Sequence, residues 1–354
     1  MSPEQIESHP AVVAARTVAD DVLAPAAAAV DVGTVPRSHL DALGAAGLLG
    51  VAAPAEVGGL GAPPPVVRRV GEVLAGACLS TWFVQVQHHT CAPMALAAGR
   101  DDLARDLASG RLLAGIAYSH LRRRPARPVE AVPDGAGWRF TGEAPWYTGW
   151  GINDVALVGG ATDDGRVVFA VVPAREQPGL APSAPMDVAA LASTVTVTLA
   201  LDGLRAGPDD VVLVDDWDAW AARDARPSSN PVPAVFGVAL SALDLLAGRG
   251  AARDEPAAVA AADRLRAQVL EVRAEVDHLL DDVDPDDERP RRLALRARAQ
   301  ALMVEATTAL VVAGAGRSMA IADPAQRKAR EALFLLVQAQ TRPARTAALD
   351  AFGR

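Results

Sequence analysis

Gly137-Trp-Arg-Phe-Thr-Gly-Glu-Ala-Pro-Trp-Tyr-Thr-Gly-Trp-Gly151 is the stretch that decides how this chain is read. It opens as a strand, Trp138–Gly142, and runs into Trp146, Tyr147 and Trp150, set among Pro145, Gly149 and Gly151. Only 4% of the 354 residues are aromatic, so two Trp and a Tyr within five positions need a reason. Indole and phenol faces are flat and rigid; they can plug a core or stack on a planar ring. The glycines let backbone come close to whatever lies there. Thr148 brings a hydroxyl and an N–H to the same spot. Taken alone, the stretch suits an aromatic plug in a hairpin as well as a ligand platform.

Outward from it, residues 111–205 have the character of a β domain. Leu113–Tyr118, Asp154–Gly159, Val167–Val172 and Thr194–Leu201 are short runs rich in Val, Ile and Thr, separated by turns such as Asp134-Gly135 and Asp164-Gly165. Val195-Thr-Val-Thr-Leu199 alternates, with one face buried and one wet. These features predict an antiparallel sheet. On either side the period becomes helical. Residues 1–110 predict a helical domain: Val12–Val30 interrupted at Pro25, Pro36–Gly47, Val66–Gly76 and Leu79–Ala98. Residues 206–354 open with a Pro- and Asp-rich connection. Helices follow over Pro233–Leu246, Glu255–Leu280, Arg289–Ala313 and Pro324–Gln338, with a short last one after Pro343. The fold class is therefore α+β, in the order helical domain, β domain, helical bundle.

Composition narrows the function. With 51% hydrophobic residues there is ample core, and a net charge of −9 leaves no basic field for nucleic acid. No segment reads as a signal peptide or a membrane span. Two cysteines, Cys78 and Cys91, make no disulfide framework, so a reducing cytoplasm is expected. No His, Cys, Asp or Glu spacing suggests a metal, and no Ser-His-Asp arrangement fits.

The order of blocks and four local sequences resemble the acyl-CoA dehydrogenase family of flavoproteins. Val35–Gly50 looks like the family's second helix, and Pro54–Gly61 like its P-x-x-x-G-G-x-G turn. Gly137–Gly142 with Trp146–Thr148 is similar to its G-y-x-l-x-G-x-K-x-W-I-T-N run. Gly314–Glu331 is similar to its G-G-x-G … R-x-x-R-D segment. The resemblance implies FAD, or FMN in its place, between the β domain and the terminal helices. Trp146 would pack on the isoalloxazine and Thr148 would stand near its N5, where a donor stabilises the reduced ring. Ser119 would meet the pyrimidine edge, and Gly314 and Gly316 the adenine end from a neighbouring subunit. The resemblance also implies a homodimer or homotetramer built through the C-terminal helices, and an acyl-thioester or other small-molecule substrate.

The sequence departs from that pattern where the chemistry lies. The family's Gly-Ser for the pyrophosphate is replaced by Ser119-His-Leu-Arg-Arg-Arg-Pro125. Arg122, Arg123 and Arg124 are candidates to answer the phosphates, since guanidinium forks suit them, or else a solvated loop. The family's R-x-x-F-G is replaced by a run holding Arg249 and Arg253. The usual glutamate base falls in Leu336-Val-Gln-Ala-Gln-Thr341, where Gln338 and Gln340 cannot take a proton. The family's other base position, Pro227–Asn230, holds no carboxylate, and Asp224 is the nearest. His88, His89 and His120 are the remaining candidate bases, since imidazole titrates near neutrality. Three functions follow: a flavin-dependent oxidoreductase of acyl-CoA dehydrogenase type lacking the usual glutamate, a reduced-flavin monooxygenase on the same scaffold, or a non-catalytic homologue without flavin.

Overall fold

The computed structural model describes residues 1–352. Its first block comprises α1 (Pro3–Glu7), α2 (Pro10–Val18), α3 (Ala24–Val32), α4 (Arg37–Ala45), α5 (Pro64–Ala77), α6 (Leu79–His88), α7 (Cys91–Ala97) and α8 (Asp101–Ala108). Pro25 does not break the chain's helical course. A π turn, Ala19–Leu23, precedes it, and Pro25 falls in the first turn of α3, where a missing N–H is tolerated. The helix expected over Leu79–Ala98 is two helices, because Pro93 sits in the first turn of a new one, α7.

The middle of the chain forms one sheet of eight strands: β1 (Ala114–Ala117), β2 (Val129–Asp134), β3 (Gly137–Tyr147), β4 (Val155–Ala161), β5 (Arg166–Pro173), β6 (Leu180–Pro182), β7 (Val197–Ala206) and β8 (Val211–Asp216). The spatial order is β6-β7-β3-β2-β4-β5-β8, with β1 on β4. The sheet is mixed, which corrects the antiparallel expectation. β1 runs parallel to β4 from Ala114↔Val155 to Ala117↔Val158, and β2 meets β4 in the same sense at Glu130↔Ala161. The β2–β3 hairpin, turning at Asp134-Gly135, supplies the long crossover that parallel neighbours need. The sheet also runs past residue 205. The stretch read as a connection holds β8 and then α9 (Trp217–Ala225), whose N-cap is Asp216.

The terminal bundle is α10 (Pro233–Arg253), α11 (Pro256–Asp282), α12 (Arg289–Gly314), α13 (Pro324–Val337) and α14 (Arg342–Ala351). α10 and α12 are long and apolar enough to cross a bilayer, yet about half of each apolar window is buried in the protein, as in core helices.

One apolar core joins the first and last blocks. Val66, Val70 and Leu74 recur at helical spacing on α5, all within 1% of full burial. α10 packs on another side of α5, along Gly71 and Gly76, where an added methyl would meet Pro233 and Gly237. A methyl group at Gly237 would collide with the Glu72 carbonyl oxygen, so the glycine is what lets the two backbones touch. A second tie is ionic. Lys328 of α13 is fully buried and donates to the Gly76 carbonyl at the C-terminus of α5, 2.8 Å away, where the helix dipole favours a cation. Its charge is answered by Glu331 at 2.8 Å. Removing one partner of such a pair strands a buried charge. Glu331→Ala should therefore lower unfolding free energy by about 3 kcal/mol, while the double variant Lys328→Met/Glu331→Leu should lose clearly less. Urea unfolding with unchanged slope checks both; equal losses would refute the assignment.

Candidate functional site

The quoted stretch owes its shape to one extra residue. Ala144 pairs with Leu199 and Tyr147 with Val197, so Pro145 and Trp146 together oppose Thr198 alone. That is a β-bulge, and Pro145, which has no N–H to donate, suits it. The bulge inverts parity. Strict alternation from Phe140 and Ala144 would turn Trp146 into the sheet's core. Instead Tyr147 takes the core position, fully buried, and Trp146 is thrown outward with 54% of its surface exposed.

The backbone there is strained. Trp146 has φ +64°, and on the facing segment Leu191 and Val195 have φ +58° and +48°. Three of the seven non-glycine residues with positive φ, among the described residues, thus lie in two adjoining segments. For a β-branched valine this conformation is a true outlier, and such strain persists only when its surroundings enforce it. The enforcement is visible. The Gly149 and Trp150 N–H groups donate to the Thr194 and Val195 carbonyls. Asn153, itself buried, donates from Nδ2 to the Thr148 carbonyl at 2.9 Å and to Tyr147 Oη at 3.3 Å. Gly149, at φ +88°, leaves the room that the Asn153 amide fills. Tyr147 also meets Trp150 edge to face, centroids 6.1 Å apart.

Thr148 is divided in its roles. Its hydroxyl is spent in a buried row, 3.2 Å from Thr196 Oγ1, which is 3.3 Å from Thr194 Oγ1. Its backbone N–H has no hydrogen-bond partner among the described residues. Ser119 lies alongside, its hydroxyl 3.3 Å from the Pro145 carbonyl. α6 docks at the same corner through Ser80, whose Oγ is 2.9 Å from Ser193 Oγ. An exposed flat ring, a free donor beside it and a rigid floor can hold a planar heteroaromatic ligand face-on and bind an acceptor on its edge.

The expected bases do not assemble there. His88 is a staple: its Nδ1 accepts from the Ala114 N–H at 3.0 Å and its Nε2 donates to the Leu107 carbonyl at 2.9 Å, tying α6 to α8 and to the start of β1. Burial pushes its pKa down to about 4, with the neighbouring His89 adding to the effect. His120 has no exposure; it lies against β4, Nε2 2.9 Å from the Gly159 carbonyl, and burial pushes it to about 4 as well. Both are neutral, buried imidazoles held to backbone carbonyls, and His120 keeps its Nδ1 without a partner among the described residues. His89 is the one partly exposed member of the three. Its Nε2 is engaged with Gln85 at 2.7 Å, and burial lowers its pKa too. It stands nine residues beyond Ser80 on the same helix, roughly 13 Å along the axis.

The arginines are likewise committed. Arg122 makes a bidentate pair with Asp224 of α9, at 2.6 and 2.8 Å, and Arg124 pairs with Asp218 and covers the Trp217 ring, 4.9 Å from its centroid. Both guanidiniums are thus already engaged, on side chains more than a third exposed. Gly314 has a packing reason: Arg249 and Ser318 fill the space where its side chain would be. Gly316 faces open space. What sequence reasoning missed is the hydroxyl row of Thr194 and Thr196 and the Asn153 clamp. The repeated Thr at every second position from 194 to 198 was the available signal.

With this geometry in view, the comparisons define the fold. Residues 7–110 match the family model for the acyl-CoA dehydrogenase N-terminal domain. The chain therefore carries that domain and, over its whole length, the acyl-CoA dehydrogenase fold. A probable acyl-CoA dehydrogenase from Mycobacterium abscessus superposes over 100% of both chains with TM-score 0.80 and 19% identity. Butyryl-CoA dehydrogenase from Megasphaera elsdenii does so over 100% of this chain and 99% of its own, with TM-score 0.80 and 14% identity. Dibenzothiophene monooxygenase from Paenibacillus sp. A11-2 covers 96% and 93%, with TM-score 0.73 and 21% identity. No curated protein matches the sequence.

The buried histidines set a pH dependence. Their folded pKa values lie below the ordinary 6.5, so between pH 6.5 and 4 the unfolded chain takes up protons that the folded chain refuses. Stability is thus fully present above pH 6.5 and falls as the pH drops towards 4, by roughly 3 kcal/mol per histidine. In urea titrations at pH 7 and pH 4.5, His120→Gln should show a fall smaller by up to about half. A fall as large as that of the unaltered protein would exclude a neutral buried His120.

Proposed function

We propose that this protein is a flavin-dependent oxidoreductase that holds the flavin ring against Trp146. The observation that carries the reading is the exposed indole, thrown outward by a strained bulge and set beside an unengaged Thr148 N–H. Trp146 offers its face to the ring, and Thr148 offers a donor to an acceptor on the ring's edge. Ser119 holds the bulge carbonyl in place. When bound, flavin supplies the two-electron chemistry. The chain's part is to bind the ring, orient it and keep water from its covered face.

A dehydrogenation also needs a base for the proton next to the acyl carbonyl. His88 and His120 are buried against backbone carbonyls, Asp224 is held by Arg122, and Leu336–Thr341 contains no acid. The missing carboxylate favours a second reading, a reduced-flavin-dependent monooxygenase, whose reaction does not begin with that proton. The likeness in shape to the dibenzothiophene monooxygenase supports it. The substrate under either reading is an acyl thioester or another small molecule. Two free, buried thiols, Cys78 and Cys91, are in keeping with a cytoplasmic setting.

A homo-oligomer is part of the proposal. A groove of about 1110 Å³ opens between α11, α12 and α14, lined by Ala261, Val304, Val312, Val337, Leu349 and Phe352 among others. Val312, Leu349 and Phe352 are more than 60% exposed, a large apolar surface for a lone subunit. Val312→Asp should reduce the mass seen by light scattering to that of the single chain. An unaltered assembly would place the interface elsewhere.

Purified protein titrated with oxidised flavin should quench the flavin's fluorescence. Trp146→Ala should weaken that binding by about 10- to 100-fold, the worth of one stacking partner, with unchanged circular dichroism. Absence of any flavin binding would favour the non-catalytic reading. With flavin bound, bleaching by an acyl-CoA alone supports the dehydrogenase. Oxygen consumption only after reduced flavin is added supports the monooxygenase.

A further inference from the structure

We infer that this chain grips the flavin by its ring and withholds its arginines from the dinucleotide tail, so that flavin mononucleotide binds about as tightly as FAD. The inference rests on the proposed ring site and concerns what lies beyond the ring. A pyrophosphate needs free cations or free N–H donors, and guanidinium is the strongest side-chain partner available for it.

The loop from Ser119 to Pro128, next to the ring face, carries four arginines. Three are neutralised within the chain. Both carboxylate oxygens of Asp224 hold Arg122, whose guanidinium also lies 5.8 Å over the Tyr118 ring. Arg124 is held by Asp218 and by the Trp217 face. Arg127 is held by Asp163, with Glu130 at 3.6 Å. α9 is thus bolted to the loop, and Trp217 Nε1 fixes the two further by donating to the Leu121 carbonyl at 3.1 Å. Only Arg123 is exposed and without an acidic partner among the described residues. A phosphate reaching Arg122 would have to displace a bidentate carboxylate, so little is gained by the exchange.

In the C-terminal helices, the two arginines of the run that replaces the family's R-x-x-F-G are engaged as well. Arg249 pairs with Asp323 and sits 3.4 Å from Ser318 Oγ, filling the space beside Gly314. Arg253 donates to the Ala313 carbonyl at 2.8 Å. Apart from Arg123, the arginines of the two regions that replace the usual phosphate contacts are therefore engaged by the chain's own acids and carbonyls.

Riboflavin, flavin mononucleotide and FAD, each titrated into the full-length protein by fluorescence, separate the possibilities. FAD binding less than about tenfold tighter than flavin mononucleotide is the expected result. A preference of tenfold or more would overturn the inference. Failure of all three to bind would instead sink the ring site on which it rests. Asp224→Asn, which frees Arg122, should raise the preference for FAD over flavin mononucleotide by about fivefold or more. An unchanged ratio would show that the ion pair is not what withholds the arginine.

Discussion

The bulge in β3 is the constraint from which the rest of the site follows. Two residues oppose one at Pro145–Trp146, and this single insertion decides which aromatic belongs to the core and which to the surface. Tyr147 fills the sheet interior while Trp146 stands clear of it. Holding a tryptophan and a β-branched valine at positive φ on facing segments costs about 1–3 kcal/mol apiece. The cost is met by a buried frame: the Asn153 amide, the Thr148–Thr196–Thr194 row and the Gly149 and Trp150 N–H bonds. Strain maintained by so many partners gives a surface that does not relax, which is what a face meant to hold a rigid ring requires.

The polar groups around this face are divided by burial. Imidazoles that a base would need are enclosed and neutral, and arginines that a phosphate would need are paired. Both outcomes come from the same physics: a polar group taken out of water is stable only when its partners are fixed. His88 joins three elements, and Arg122 and Arg124 join α9 to the loop before β2. The polar positions next to the bulge are thus turned to structural work.

Much of the architecture was legible in the sequence, for identifiable reasons. Helical period and terminal prolines located α10 to α13 within a few residues, apart from the C-terminus of α10, because each has a strong apolar stripe. The Asp-Gly turn placed the β2–β3 hairpin. Parallel pairing of β1 with β4 was not legible, since partner choice is a long-range property that no local run encodes. β8 was missed because its few apolar residues are hemmed by Asp209, Asp210, Asp215 and Asp216. Trp146 and Thr148 were singled out because aromatic scarcity made their stretch conspicuous, and Ser119 through the family resemblance. For the histidines and arginines a sequence shows a residue's capacity, and only the fold shows which partners already engage it.

The contact of Gly237 with the Glu72 carbonyl has a consequence for how the chain is divided. The segment with the family's N-terminal signature ends at residue 110, yet the Gly71–Gly76 side of α5 is sealed by a helix that begins at Pro233. Cut at that boundary, the Gly71–Gly76 side of α5, with its buried Glu72, would lose the surface it packs on. The first third is thus a lid whose box is made last: during synthesis it must wait for more than a hundred further residues before its inner side is covered.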